Sequence, residues 1–332
     1  MINDNAHKKG IAGYWLVMMF VAISFFIVLS TSVLLYFLQP PPAFGTFERV
    51  ELDWQDRVVK VKVGSEISTG FVMESRHDDG DKTYIVTSYH GVASNMGNVK
   101  ISFKGETYSA QNLAWNEYVD VAVFSIDCDT SYKMPAVADV SVAMDVMALG
   151  YAEGFTYTAE TGFVNSVDYL DENAKLNSLL CYDVSSYVRE GMSGCPILTE
   201  DGEVLGMGVR TKVDNIAGEE VHFSSDNYVV PFSIILAEYD RAINHASAKK
   251  TAYTLTKENA SIKISFNDVD VIYDGDSLKI GEDKIVKVNG KNVDGIVDFI
   301  AKMSKYENRD SSRKNVIVTT TKQDVKVTVV NE

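Results

Sequence analysis

The sequence predicts a mainly β protein, with one membrane-spanning helix before it and a smaller second unit after it. Short strand-like runs fill the stretch from residue 57 to about 230, and clusters of Gly, Asp and Asn separate them. Such spacing is typical of an all-β barrel or sandwich. A long uncharged segment precedes this stretch, and a polar stretch follows it. The clearest strand-like runs are 58–63, 70–73, 84–87, 99–103 and 121–124.

The membrane helix is predicted over residues 11–39, between a cytoplasmic N-terminus (1–10) and a linker (40–56). No charged residue lies between Ile11 and Leu38, and about 20 apolar residues suffice to span the hydrocarbon core. A cleaved signal peptide is the alternative, but its apolar region is usually only about 7–15 residues long. Lys8 and Lys9 precede the span, which predicts a cytoplasmic N-terminus and an extracytoplasmic catalytic part, periplasmic in a bacterium.

Composition limits the partners and cofactors. The formal net charge of −15 and the lack of a basic stripe argue against a nucleic-acid partner. The chain has three cysteines, Cys128, Cys181 and Cys195, and no CxxC pair, so we expect no zinc site. We also expect no other metal and no organic cofactor. A bridge between Cys181 and Cys195 stays open, because sequence does not fix the geometry.

Domain boundaries follow from periodicity and polarity. A helix from Ser233 to about His245 closes the β-rich domain, which we place at 57–247. Residues 248–258 form a polar linker, and 259–332 form the C-terminal unit. In that unit Val293 to Met303 has helical periodicity between strand-like runs, which predicts an α+β domain.

Two residues have the setting of an acid–base pair. His90 follows a buried strand-like run and precedes Gly91, so it would stand at a rigid strand end. Asp120 opens the apolar run 121–124, where a carboxylate needs a partner such as an imidazole N–H. Taken separately, a structural histidine and a turn-capping aspartate explain these residues equally simply.

Ser193 lies in the most specific motif, Gly191-Met192-Ser193-Gly194-Cys195-Pro196. The glycines permit a tight turn around the serine, which with His90 and Asp120 would make a nucleophilic triad. The backbone amides of Gly191 and Ser193 are the predicted oxyanion hole. A simple Ser-Gly hairpin turn is the alternative for the motif alone.

Five motifs in order resemble the trypsin-like serine proteases, and within them the HtrA/Deg group. They are Thr87-Ser88-Tyr89-His90, Asp120-Val121-Ala122-Val123, Ala148 to Gly154, Gly191 to Pro196, and Tyr228-Val229-Val230-Pro231. The resemblance implies two six-stranded Greek-key β-barrels with the active site between them, and it implies a homotrimer. Cys195 and Met192 depart from the Gly and Asn of the family pattern.

The segment from Leu278 to Gly290 resembles part of a PDZ domain, which would bind a peptide by strand addition. The predicted substrate pocket includes Tyr187, Leu205, Gly206, Met207 and Gly208. It contains no buried acid, so we expect no preference for Lys or Arg.

The favoured hypothesis is a membrane-anchored serine endopeptidase that acts on unfolded or membrane-associated proteins. A non-catalytic protease-fold scaffold and a membrane-tethered PDZ adaptor are the alternatives.

Overall fold

The computed structural model describes residues 18–30, 46–78, 80–167, 181–216, 219–244, 251, 253–258, 261–304 and 314–329. The chain divides into two compact units, Met1–Gly45 and Thr46–Glu332. In the first unit, residues 18–30 form a helix, α1, whose apolar side chains are exposed. Within the described ranges, no helix combines the length and the apolar character needed to cross a bilayer. Much of the predicted span lies outside these ranges, at 11–17 and 31–39, as do residues 1–10 and 40–45.

The second unit opens with a helix and an antiparallel sheet. Helix α2 (Thr46–Trp54) lies where a linker was predicted, and its Val50 and Trp54 are buried in the main core. The sheet that follows has seven strands in the order β5-β4-β1-β2-β3-β7-β6, instead of the six predicted. The strands are β1 (Val58–Val63), β2 (Glu66–Arg76), β3 (Lys82–Ser88), β4 (Lys100–Phe103), β5 (Glu106–Ser109), β6 (Gln111–Asn116) and β7 (Val121–Asp127).

The next six strands form a closed barrel in the order β10-β13-β12-β11-β8-β9, which confirms the predicted strand number for this half. They are β8 (Asp145–Ala152), β9 (Thr156–Ser166), β10 (Tyr182–Val184), β11 (Cys195–Thr199), β12 (Val204–Ile216) and β13 (Glu219–Pro231). Strand β2 contacts β8 and β11, so the first sheet packs directly against this barrel. A core of apolar side chains from both halves fills the space between them.

Helix α3 (Phe232–Asn244) begins beside the residue where the sequence predicts a helix, and it packs on β6, β7, β12 and β13. It buries a charged pair, because the Arg241 Nε donates to Glu238 Oε2 at 2.9 Å. Neither side chain exposes more than 1% of its surface. A buried charge is costly without a partner, and Arg241 Nη2 also donates to the carbonyl oxygen of Trp115 on β6 at 2.9 Å, which ties the helix to the first sheet.

The C-terminal part is an antiparallel sheet with one helix, α4 (Gly295–Ser304), which agrees with the predicted α+β composition. Strand β14 begins within the predicted linker, so part of that polar stretch is a strand of this sheet. Whether this fold acts as a PDZ domain stays a prediction. The strands are β14 (Thr254–Glu258), β15 (Ser261–Ser265), β16 (Asp270–Tyr273), β17 (Leu278–Ile280), β18 (Asp283–Val288), β19 (Lys291–Asn292), β20 (Lys314–Thr320) and β21 (Asp324–Val329).

Candidate active site

His90 and Asp120 meet because their strands are neighbours. Strands β3 and β7 pair in antiparallel register, with Ser88 opposite Val121. His90 follows the end of β3 and Asp120 precedes the start of β7, so both stand at one edge of the sheet. His90 Nδ1 lies 2.6 Å from Asp120 Oδ2, and the backbone amide of His90 donates to Asp120 Oδ1 at 2.8 Å. The predicted acid–base contact is therefore present.

The burial of this pair is asymmetric. The Asp120 side chain is fully buried, whereas 42% of the His90 side chain is exposed. Asp120 also has a left-handed backbone, with φ of 58°, and its carbonyl accepts the Tyr89 amide at 3.1 Å. A carboxylate oxygen accepts hydrogen bonds, so this contact favours the tautomer with the proton on Nδ1, which leaves Nε2 as an acceptor.

The Ser193 turn depends on two glycines with left-handed backbones, Gly191 (φ 85°) and Gly194 (φ 93°). A Cβ on Gly191 would lie 2.5 Å from the Tyr151 carbonyl oxygen. A Cβ on Gly194 would lie 2.0 Å from the Thr69 carbonyl oxygen and 2.7 Å from Thr87 Oγ1. Only glycine fits such approaches, and they bring the serine turn against the strand that leads to His90.

The hydroxyl of Ser193 does not bond the imidazole in this arrangement. It donates to the carbonyl oxygen of Val209, on β12, at 2.8 Å. Across the described residues, we find no hydrogen bond that joins Ser193 to His90. The structure therefore joins two of the three predicted catalytic residues and holds the third in a different hydrogen bond.

The predicted oxyanion hole consists of two amides that keep their donors free. Around them, the amide of Met192 donates to Arg189 O at 2.9 Å, and that of Gly194 donates to Gly208 O at 2.8 Å. By contrast, the amides of Gly191 and Ser193 have no acceptor among the described residues. Unpaired backbone donors are uncommon in folded proteins, and here they alternate along one turn.

Thr69, on β2, connects the elements of the site, and the sequence analysis missed it. Its hydroxyl donates to Gly191 O at 2.8 Å and accepts from the amide of Tyr151 at 2.9 Å. Its amide donates to Ser193 O at 2.9 Å, and its carbonyl accepts from Thr87 Oγ1 at 2.6 Å. Threonine is common in strands for ordinary packing reasons, so the sequence gives no sign that Thr69 connects the elements of the site. Only its three-dimensional contacts show this.

Asn116 was missed for a similar reason. Its Oδ1 accepts the amides of Tyr118 at 3.0 Å and Val119 at 3.3 Å, in the turn that ends at Asp120. Its Nδ2 donates to Glu238 Oε1 at 2.8 Å and to the Tyr253 hydroxyl at 2.9 Å. The carboxylate turn is therefore tied to α3 and to the chain that enters the C-terminal sheet.

The predicted pocket residues fall in two settings. Leu205 and Met207 are buried in separate hydrophobic clusters, and Gly206 pairs with Pro231 across β12 and β13. Tyr187 is half-buried next to Val188. A Cβ on Gly208 would lie 2.9 Å from both Cys195 Sγ and Val188 Cγ2, so Cys195 fills the space behind this strand. The composition of the pocket stays a prediction.

All three cysteines are free, so the possible Cys181–Cys195 bridge is absent. Burial raises the pKa of the Cys195 thiol to about 12, and it also raises the pKa of Cys181. Cys195 is therefore a space-filling thiol instead of a second nucleophile.

A group of side chains that could bind a metal ion lies elsewhere. His77, Asp81 and Asp129 have ligand atoms within 4.8 Å of one another, and all three are exposed. Asp81 lies on the β2–β3 connection, away from the strand ends that hold His90 and Asp120. We assign no chemistry to this group.

Comparisons with known proteins relate this chain to serine proteases. Residues 68–207 match the trypsin-like peptidase domain family, a range that includes His90, Asp120 and Ser193. The serine protease HTRA1B of Danio rerio is 32% identical over 247 residues, which cover 69% of this chain and 48% of that protein. The serine protease Do-like HtrA of Lactococcus lactis subsp. cremoris (strain MG1363) is 27% identical over 137 residues, which cover 39% of this chain and 34% of that protein.

A solved structure of Rv3671c from M. tuberculosis H37Rv, in an inactive form, has a TM-score of 0.46. It is 19% identical in sequence, and the match covers 61% of this chain and 93% of that chain. The chain spans about a third to a half of the length of the two curated relatives. At the level of the domain, these sequence matches support a trypsin-like serine protease of the HtrA type.

Proposed function

We propose that this HtrA-type domain is a serine endopeptidase with His90, Asp120 and Ser193 as its catalytic residues. The observation that carries the proposal is the fully buried Asp120, whose carboxylate bonds both the ring and the amide of His90. That arrangement fixes one tautomer and presents Nε2 to the nucleophile. The HtrA relatives and the domain match support the same chemistry.

In the proposed reaction, Ser193 Oγ first leaves Val209 O and donates to His90 Nε2. The oxygen then attacks the peptide carbonyl, and its proton passes to Nε2 while Asp120 stabilises the imidazolium. The negative oxygen of the tetrahedral intermediate accepts hydrogen bonds from the amides of Gly191 and Ser193. Collapse breaks the C–N bond, and His90 gives its proton to the leaving amine. Water then hydrolyses the acyl-enzyme by the same steps.

Digestion of β-casein by the full chain in detergent micelles tests this proposal. Wild type is expected to cleave casein, and Ser193→Ala and His90→Ala are expected to abolish cleavage. The matched control is His77→Ala, because His77 is exposed and lies outside the proposed site. Cleavage that survives Ser193→Ala would overturn the assignment.

The bond from Ser193 to Val209 favours a second candidate, a protease-fold scaffold that binds proteins without cutting them. Under that function, wild type would retain casein in a pull-down without any cleavage, and His90→Ala would change nothing.

The setting of the enzyme is part of the proposal. The uncharged run from Ile11 to Leu38 supports a membrane anchor with the protease outside the cytoplasm, acting on unfolded or membrane-associated proteins. Resistance to carbonate extraction and activity of a phosphatase fused after residue 332 would support this topology. A soluble full chain would contradict it.

Light scattering in micelles tests the implied homotrimer, and peptide titration tests the PDZ-like unit.

A further inference from the structure

An arginine whose charge the triad does not use lies one residue from the carbonyl that holds the Ser193 hydroxyl. Arg210 follows Val209 directly on β12, and Val209 provides the carbonyl that holds the Ser193 hydroxyl. Arg210 pairs with Tyr228 of β13. The register of this ladder shifts between Gly208 and Arg210, so Arg210 lies at a β-bulge. Bulges commonly re-aim a side chain beside an active site, and this bulge adjoins the carbonyl that holds Ser193.

Two of the three guanidinium nitrogens of Arg210 lack a hydrogen-bond partner among the described residues. Its Nε and Nη2 are both out of contact with solvent, and neither finds an acceptor in the described chain. The residue as a whole is only half-buried, so part of it is accessible to a ligand. A guanidinium N–H that is removed from water without an acceptor loses the free energy of a charge-assisted hydrogen bond. The site is therefore incomplete without an acceptor.

The buried thiol of Cys181 senses the charges of both this guanidinium and the catalytic carboxylate. Burial raises the pKa of the Cys181 thiol, the charge of Arg210 lowers it, and the charge of Asp120 raises it. Cys181 thus lies within electrostatic range of both groups. Asp120 itself already bonds His90 through both carboxylate oxygens, so it does not serve as the acceptor for Arg210.

We propose that Arg210 is a specificity-determining residue that binds an acidic side chain of the peptide substrate. A carboxylate accepts two parallel N–H bonds from the planar guanidinium fork, which neutral side chains match less well. An extended peptide advances about 3.3 Å per residue, so a group next to the serine contacts side chains within about three residues of the scissile bond. This inference rests on the proposed endopeptidase function and names a substrate class for it.

Cleavage profiling on a proteome-derived peptide library tests the proposal, with the full chain in micelles and Ser193→Ala as the blank. Asp and Glu should be enriched at one position within three residues of the cleaved bond. Synthetic peptides with Glu or Gln there should differ about tenfold or more in kcat/KM, as expected for a hydrogen bond to a charged group.

Variants of Arg210 separate recognition from folding. Arg210→Gln should abolish the preference, Arg210→Lys should keep only part of it, and Arg210→Glu should favour a Lys-containing peptide. The matched control is Lys62→Gln, which removes one positive charge from an exposed position on β1. Cleavage that depends on Ser193 but has no acidic preference, or a preference that Arg210→Gln retains, would overturn the inference while the endopeptidase stands.

If no peptide is cleaved, the proposed endopeptidase function is contradicted, and the role of Arg210 then needs a separate test. A binding measurement provides that test. Fluorescence anisotropy of labelled Glu and Gln peptides on Ser193→Ala protein should show tighter binding of the Glu peptide, and Arg210→Gln in the same background should remove the difference. Equal affinities for the two peptides would contradict the role of Arg210.

Discussion

Replacing Asn116 with alanine should destabilise the protein and loosen the turn that carries Asp120. Asn116 is 1% exposed and makes four hydrogen bonds, two at each end of its amide. A neutral bond contributes about 1 kcal/mol, and a bond to a charged group such as Glu238 about 1.5–3 kcal/mol. We expect a loss of about 3–5 kcal/mol in the free energy of unfolding, because the truncation also leaves buried partners unpaired.

Asn116→Asp probes the same contacts in a different way. The carboxylate still accepts the amides of Tyr118 and Val119, but it lacks both donors and faces the Glu238 carboxylate. We expect a comparable loss of stability, and Asn116→Asp combined with Glu238→Gln should recover part of it, since the like-charge contact disappears. Asn98→Asp is the control, because it adds the same charge at an exposed position.

Denaturant unfolding followed by tryptophan fluorescence measures the loss, and hydrogen exchange of the Tyr118 and Val119 amides measures the turn. Faster exchange at these amides should accompany slower fluorophosphonate labelling. A cost below about 1 kcal/mol for Asn116→Ala, with unchanged exchange, would refute this account of the turn.

Three further predictions concern other parts of the chain. Thr69→Val should slow fluorophosphonate labelling and lower the unfolding free energy by about 2–4 kcal/mol, because it removes two buried hydrogen bonds, whereas Thr69→Ser should behave like wild type. A thiol reagent should modify only Cys128 in the folded protein and all three cysteines in denaturant; fast modification of Cys195 would contradict its burial. Burial and a hydrogen bond to Glu74 raise the pKa of Tyr239, so the fold favours its neutral form. This contribution to the free energy of unfolding is complete below about pH 10, the ordinary pKa of tyrosine, and falls as the pH rises further. A rise in pH above about 10 should therefore lower the unfolding free energy of wild type more than that of Tyr239→Phe. Equal losses in the two proteins would contradict this prediction.

The sequence predicted strands and helices well where an apolar pattern was clear, and it predicted site residues where a chemically suited side chain adjoins such a pattern. Four of the five strand-like runs fall within strands, and the run 99–103 begins one residue before β4. The two predicted helices of the second unit lie within two residues of α3 and α4 at their N-termini. The contact between His90 and Asp120 was predictable because each residue adjoins an apolar run. Those runs became neighbouring strands, which puts their ends together.

Other features depend on contacts that no local pattern encodes. Thr69 and Asn116 have ordinary residue types, and their roles arise from partners more than 80 residues away in the chain, Tyr151, Gly191 and Glu238. The bond from Ser193 to Val209 is a choice of hydrogen-bond acceptor, which composition does not determine. Strand β14 was hidden because its alternating polar residues resemble a linker.

The most direct test of the account is to map a fluorophosphonate adduct on the full chain by tandem mass spectrometry. A fluorophosphonate forms a P–O bond with an activated serine and loses fluoride. The adduct should lie on Ser193, should be absent from Ser193→Ala and His90→Ala, and should persist in Ser94→Ala, which alters an exposed serine. An adduct on any other residue, or labelling that survives Ser193→Ala, would contradict the central claim that His90 and Asp120 activate this hydroxyl.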